Sequence, residues 1–340
     1  ADTEKIFYVG NPKNLEANIA ADKDYTFLPV NSSGMPRRVT FLFFKWSFQM
    51  LFACLKCCFY ILKYKPDMIF GTGGYVSAPI LYAAIIMRVP FVMHDCDANP
   101  GLVTRKLARF AKSVSVAFDV AKSKLNNKNC FVNGNPIRKD FSVLSKIGAR
   151  KNLGLDADKL VLCIMGGSQG ARSINNAAIS ILKDLVKKLE LQVIFQTGAR
   201  NYSNVIETIK RVYPEFEQNK NILIKPYFDD MVTILKSSDL AISRAGSLSI
   251  SELCACGVAA IYVPYPHAAA DHQRKNARYM LEKCAGLYIE DDKIDPELLL
   301  DNISSLVNDK VELINMQKMA QSLATYDAVD KIVEQIQDAI

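Results

Sequence analysis

Short apolar runs that each stop at a glycine, a proline or a polar loop recur along this chain, spaced widely enough for a helix between them. No other feature restricts the possible folds as much. In the first part the runs are KIFYVG, YTFLPV, DMIFG, FVMHD, SVSVAF and CFVNG, and LVLCIMG, QVIFQTG, ILIKPY, LAIS and AAIYVPY follow. Runs rich in β-branched and aromatic residues, separated by helical segments, predict parallel sheets covered on both faces. Between the two series NGNPIRKDF, near residues 133–141, breaks the rhythm and marks a hinge. A chain of 340 residues also exceeds one ordinary core and suits two domains of roughly 150 residues each. The expected class is therefore α/β, with two doubly wound domains facing each other across a cleft. Ligands of such sheets sit at the carboxyl ends of the strands, which directs attention to the glycine and proline loops.

Charge divides unevenly. Residues 1–140 carry nineteen Lys and Arg against ten Asp and Glu, a net +9, which leaves −2 for the remainder of a chain whose total is +7. The first half should meet something anionic, a lipid surface or a phosphorylated substrate. Residues 41–62, FLFFKWSFQMLFACLKCCFYIL, are the most hydrophobic stretch and hold only Lys45 and Lys56 as charges. Such a helix either packs deep against the sheet or dips a partly exposed patch into lipid. Flanking Arg37, Arg38, Lys63 and Lys65 favour the lipid, with Phe43, Trp46 and Phe52 as candidate contacts. No uncharged run reaches the roughly 20 residues that span a bilayer, and no signal peptide opens the sequence. The nine cysteines have no facing CxxC or His partner and read as reduced, mostly buried thiols rather than a metal site.

Four strand ends carry glycine or proline: GTGGYVSAP from Gly71, GNPIR from Gly134, GGSQGARS from Gly166 and SRAGSLSISE from Ser243. None has the spacing of a dinucleotide fingerprint or a Walker loop, so a dehydrogenase or an NTPase fails at its most diagnostic point. Taken alone, a glycine at a strand end is usually a tight turn. The SRAGSLSISE stretch has two readings: a capped helix, with Ser as N-cap and Glu closing a capping box, or a phosphate seat on a helix terminus.

In order, SGMPRR, GGYVSAP, NPG, GNPIR, GGSQGA, QTG, DDM, SRAGSLSISE and PYPHAAADHQ resemble the MurG family, the UDP-N-acetylglucosamine transferases that convert lipid I to lipid II. The resemblance runs from about residue 5 to the C-terminus. It implies the GT-B architecture of two Rossmann-like domains: 1–138 for the membrane-side acceptor, 139–324 for the nucleotide sugar, and 325–340 as a C-terminal helix returning to the first domain. Partners implied are UDP-GlcNAc, lipid I and an anionic membrane surface, with no nucleic acid, no cofactor and no metal. The implied location is the cytoplasmic face of the inner membrane, peripherally bound.

The resemblance also assigns residues. The loop holding Ser247, Leu248 and Ser249 would face the donor diphosphate, Glu252 would hydrogen-bond the ribose hydroxyls, and Arg244 and Gly246 would belong to the same donor site. Arg138 and Ser168 match other phosphate-side contacts, Gln169 belongs to the donor site, backbone groups of Tyr227 and Phe228 would read the uracil edge, and Gln273 would hold a sugar hydroxyl. His267 and His272 read better as loop-stabilising partners than as catalysts. Tyr75, Ser77, His94, Asp95 and Asp97 occupy acceptor-side positions. Here HDCD stands where the family usually has His-Glu-Gln-Asn, and Asp97 beside a pyrophosphate adds like-charge repulsion. The opening ADTEKIFYVG matches the family's second strand, so the glycine-rich loop with the favoured catalytic His has no counterpart and the catalytic base is unassigned. A UDP-sugar-binding protein without catalysis and a UDP-sugar epimerase on the same fold stay open as alternatives.

Overall fold

The computed structural model describes residues 6–36, 38 and 40–340, so Arg37, one of the flanking cations, lies outside the described residues. The chain divides into two compact units, 1–134 with 330–340, and 135–329.

The first unit contains β1 (Phe7–Gly10), α1 (Leu15–Asp22), β2 (Thr26–Pro29), α2 (Phe41–Tyr64), β3 (Ile69–Gly71), α3 (Gly74–Met87), β4 (Phe91–Asp95), α4 (Leu102–Leu107), β5 (Ser113–Val116), α5 (Asp119–Lys122) and β6 (Cys130–Val132). Its strands form two parallel sheets among the described residues, β1–β2 and β3–β4–β5–β6. β4 and β5 are buried along their whole length, as strands covered on both faces must be.

α2 is the 24-residue helix of the apolar stretch, ended by Lys65 in a left-handed conformation with Pro66 behind it. One side, Ala53, Cys57 and Ile61, enters the core beside Ile80 and Ala84 of α3. The other side carries Phe41, Phe44, Phe48, Leu51, Phe52, Leu55, Phe59 and Leu62, all exposed. Those positions recur at three and four residues and so share one stripe of the helix. The sequence reading of residues 41–62 as either core or exposed patch thus resolves into both, on opposite faces.

The second unit contains α6 (Lys146–Asn152), β7 (Val161–Met165), α7 (Arg172–Lys187), β8 (Gln192–Gln196), α8 (Tyr202–Val212), β9 (Ile222–Lys225), α9 (Met231–Ser237), β10 (Leu240–Ser243), α10 (Ser247–Cys256), β11 (Ala259–Tyr262), α11 (His272–Glu282), β12 (Leu287–Tyr288), α12 (Pro296–Asn308) and α13 (Lys310–Ser322). The strands pair in parallel in the order β12–β11–β10–β7–β8–β9. Every residue of β7, β8, β10 and β11 is buried. α7 supplies Ile174, Ala178, Ile181, Leu182 and Leu185 to the core on one helical face. Below the sheet Asp239 accepts from Lys146 (2.9 Å), from the Val161 N–H (2.8 Å) and from Arg150, which fastens α6 to the start of β10.

The last helix, α14 (Ala328–Gln337), joins the first unit through Gln335. Its amide accepts from Asn133 Nδ2 at 2.8 Å and donates to Ser113 Oγ at 2.7 Å, a buried polar chain with both ends of the amide satisfied. The nine cysteines are free thiols. Burial pushes Cys57, Cys163, Cys254 and Cys256 up to about 12, which leaves them protonated and inert.

Candidate functional site

In the second unit the strands run outward on one side, β7 to β8 to β9, and then the chain returns to place β10 on the other side of β7. Such a reversal opens a crevice at the carboxyl ends of the two central strands. Two sequence-predicted loops border it: Gly166–Gly170 after β7, with Ser168 and Gln169, and Arg244–Gly246 after β10, which leads into α10.

The glycines of the first loop are there for contact. A Cβ on Gly170 (φ +73°) would lie 2.0 Å from the Thr197 carbonyl oxygen, and one on Gly198 would lie 2.4 Å from the Gln169 carbonyl. Backbone therefore rests directly on backbone between the loops after β7 and β8. Asn201 Nδ2 donates to the Gln169 carbonyl at 3.2 Å. The Gln196 amide donates to the Gly167 carbonyl at 3.3 Å and accepts from the Phe228 N–H at 3.0 Å. One side chain thus ties together the loops after β7 and β9, and it commits the Phe228 N–H. Tyr227 is exposed beside it, Phe228 buried.

α10 begins at Gly246, which has no side chain to cap with, and Ser247 is already inside the helix. The capped-helix reading of SRAGSLSISE therefore does not hold. Gly246 gives the first turn no side-chain cap, and the amides there carry the positive end of the helix dipole. Asn135 Nδ2 donates to the Ser247 carbonyl (3.3 Å) and to Ser251 Oγ (3.1 Å), which fixes the GNPIR loop on this helix. Arg138, on the same loop, is close enough to act electrostatically on both Glu252 and Asp230. Burial raises the Glu252 carboxyl above its ordinary value, and the Arg138 charge partly offsets this. Asp230 is held low, first by the Thr233 hydroxyl and then by the Thr233 N–H (3.0 Å), as the N-cap of α9.

Arg244 was expected at the donor, but its guanidinium is turned to the fold. It donates to the Val263 (3.0 Å) and Pro264 (3.2 Å) carbonyls, to Ser173 Oγ (3.2 Å) and to Asp291. Gln273 uses its carbonyl end to accept from the Tyr265 N–H at 2.9 Å, which leaves its NH2 end for a ligand. His272 bonds the Ala269 carbonyl at 2.7 Å, and His267 packs edge-on against Tyr265. Between them Ala270 and Asp271 both adopt left-handed conformations (φ +51° and +58°), a strained entry into α11.

In the first unit the acceptor-side residues gather at the ends of neighbouring strands β3 and β4. Their side chains are largely occupied. Ser77 Oγ donates to the Gly73 carbonyl at 2.7 Å. His94 is buried with Nδ1 on Ser115 Oγ at 3.0 Å, and the buried Asp95 accepts from the Gly101 (3.0 Å) and Asp97 (3.3 Å) N–H groups. Tyr75 is exposed and Asp97 half-buried. On α2, Phe52 belongs to the exposed stripe, whereas Trp46 donates its indole N–H to the Ser33 carbonyl at 2.9 Å and packs on Phe43. Trp46 thus holds the loop at Ser33. The exposed apolar side chains include Phe48, Leu51 and Leu55 on the Phe52 side.

Sequence reasoning missed Asn135, Gln196 and Asp291, whose roles exist only through partners far along the chain.

The glycosyltransferase family 28 C-terminal domain matches residues 161–332, and the family 28 N-terminal domain matches residues 2–116. A Desulforamulus reducens protein named UDP-N-acetylglucosamine–N-acetylmuramyl-(pentapeptide) pyrophosphoryl-undecaprenol N-acetylglucosamine transferase is 33% identical over 97% of this chain and 89% of its own length. An Acetivibrio thermocellus protein of the same name is 34% identical over 99% and 90%. The crystal structure of Acinetobacter baumannii MurG superposes with a TM-score of 0.78 at 25% identity, over 97% of this chain and 90% of that one. The chain belongs to the MurG family. A Neisseria meningitidis UDP-GlcNAc 2-epimerase shares the fold at 10% identity and a TM-score of 0.65, over 98% of this chain and 91% of its own. MurG membership makes the protein a glycosyltransferase of the α/β, GT-B type, as the motif order implied.

Proposed function

We propose that this MurG-family protein transfers N-acetylglucosamine from UDP-GlcNAc to the C4 hydroxyl of lipid I, undecaprenyl-pyrophosphoryl-MurNAc-pentapeptide, and so forms lipid II for peptidoglycan. The observation that carries the donor side is the first turn of α10 at the sheet reversal, with glycine at its N-cap and Glu252 on the same helix. Main-chain amides of Ser247, Leu248 and Ser249 take the diphosphate charge, and Arg138, Ser168 and Gln169 add to that side. The Glu252 carboxylate accepts from both vicinal ribose hydroxyls. The uracil edge meets backbone at Tyr227 and Phe228, where the Phe228 carbonyl is the available group because its N–H is held by Gln196. Gln273 donates to a sugar hydroxyl.

In the reaction the acceptor oxygen forms a bond to the anomeric carbon, the bond from that carbon to the β-phosphate oxygen breaks, and UDP leaves with the electron pair. The α10 amides stabilise the charge that develops on the leaving diphosphate. The acceptor proton needs a base, and His94 is poorly suited, being buried and bonded to Ser115. The first unit holds the acceptor near Tyr75 and Asp97 and rests on the cytoplasmic face of the inner membrane through the exposed stripe of α2. That helix is long and apolar enough to cross a bilayer. Because its opposite face is packed in the unit's core, it lies along the surface instead.

Calorimetry with UDP-GlcNAc tests the donor side. Glu252→Ala is expected to weaken binding about 10- to 100-fold, the worth of hydrogen bonds to a charged group. Unaltered affinity would overturn the assignment. Turnover of lipid I separates a transferase from a protein that only binds the donor.

A further inference from the structure

Arg244, Ser173 and Asp291 close a triangle. Ser173 Oγ donates to Asp291 and accepts from Arg244 (3.2 Å), while Arg244 also pairs with Asp291. The pair is mostly shielded, with side-chain exposures of 13% for Arg244 and 19% for Asp291. The three residues come from separate places: the loop after β10, the second position of α7, and the loop after β12. Arg244 further holds the Val263 and Pro264 carbonyls, so the loop after β11 hangs on the same group. Adjoining Asp291, Glu290 accepts from Arg274 of α11 at 3.1 Å.

We infer that Asp291 is a positioning residue for the nucleotide-sugar donor, an inference that rests on the donor reading above. Ser173 lies three residues after Gly170 of the glycine loop, and Arg244 lies two before Gly246 at the mouth of α10. The loop that Arg244 holds through Val263 and Pro264 leads to Gln273. One carboxylate therefore braces three of the loops that the donor reading places at phosphate and sugar. It also neutralises the one arginine in the β10 loop, so the diphosphate is met by main-chain amides rather than by that cation. A guanidinium with both terminal nitrogens engaged is a rigid brace, and small displacements of such supports are costly for binding and transfer.

The test combines donor calorimetry, steady-state kinetics and hydrogen exchange on Asp291→Ala, Asp291→Asn and Ser173→Ala. Asp291→Ala is expected to raise the donor Kd and KM about tenfold or more, with the lipid I KM nearly unmoved. In the ligand-free protein it should speed exchange together in residues 166–171, 244–249 and 264–273 and spare β8. Asp291→Asn, whose amide oxygen still accepts from Arg244 and Ser173, should recover most of the loss. Ser173→Ala, a milder change, should shift the donor parameters in the same direction if Asp291→Ala does not fold. Exchange that rises only in residues 289–293, a donor Kd equal to wild type in Asp291→Ala, or no recovery in Asp291→Asn would overturn the inference. Wild type that fails to bind UDP-GlcNAc, while the three loops still loosen together in Asp291→Ala, would overturn the donor reading and leave only a structural brace.

Discussion

Glu252 is asked to do two things that pull in opposite directions. The proposed ribose contact requires it to be ionised at neutral pH, yet its place on α10 is desolvated enough to raise its carboxyl above the ordinary 4.5. When the folded value lies above the unfolded one, the unfolded chain gives up its proton first. The resulting penalty is absent below 4.5, grows as pH rises through the raised folded value, and is fully present above it. Glu252→Gln removes the charge and keeps the shape. The ligand-free variant should therefore melt above wild type at pH 7, by about 2–4 °C per kcal/mol released in a unit of this size, and the two curves should converge as pH falls to 4.5. Donor affinity should move the other way. Thermal melts across that range check the first half, and a variant less stable than wild type at pH 7 would show that the carboxylate is instead stabilised by its surroundings. A desolvated carboxylate beside the Arg138 charge is what the proposed ribose contact would require of this position.

Among the elements, the glycine loop after β7 shows how two residues with similar dihedral angles can have different jobs. Gly167 (φ +83°) and Gly170 (φ +73°) are both left-handed, but a Cβ at Gly167 meets nothing within 4 Å, whereas at Gly170 it would strike the Thr197 carbonyl at 2.0 Å. Gly167→Ala should cost only the left-handed strain, about 1 kcal/mol. Gly170→Ala should cost about 3 kcal/mol, the upper range for an overfilled site, and should also abolish donor binding by lifting Ser168 and Gln169 away. Denaturation midpoints and calorimetry on both variants check the contrast, and equal effects would mean that the loop–loop contact is dispensable. The strand ends were legible in the sequence because each run stopped at a residue with a physical reason to stop it. The start of α10 was legible as a helix terminus but ambiguous in purpose, since serine, glycine and glutamate suit a cap and a ligand alike. Gly246 at the N-cap position removes the side-chain cap and leaves the ligand reading as the proposal. β12 was not legible at all: Leu287–Tyr288 is too short to show alternation, and so the acids behind it, Glu290 and Asp291, had no element to attach to. The resemblance places Arg244 among the donor contacts, whereas its guanidinium pairs with Asp291, 47 residues away, a partner that nothing local announces.

At the scale of the whole molecule, the two halves of the sequence differ in charge, +9 over residues 1–140 and −2 beyond, and the positive half also owns the exposed apolar stripe. A soluble donor needs neither feature; an acceptor anchored in lipid needs both. Lys45, Lys56 and Lys63 are all exposed and, by helical geometry, flank the stripe on one side. Their stems can lie along the apolar surface while the ammonium groups reach anionic headgroups, an attraction of about 1 kcal/mol each near the surface. Burying each large apolar side chain of the stripe adds roughly 1.5–3 kcal/mol. The two contributions are separable, since only the first is screened by salt. Vesicles containing anionic lipid should therefore bind the protein strongly at low ionic strength and more weakly, but still measurably, at high ionic strength. Phe48→Ser with Leu55→Ser should remove the salt-resistant part. Trp46→Ala should lower the melting temperature instead, because that ring holds the Ser33 loop rather than facing outward. Co-sedimentation that is indifferent to Phe48 and Leu55 would mean that the stripe is covered by something other than lipid, and the membrane reading of the first unit would fall while the donor site in the second stood untouched.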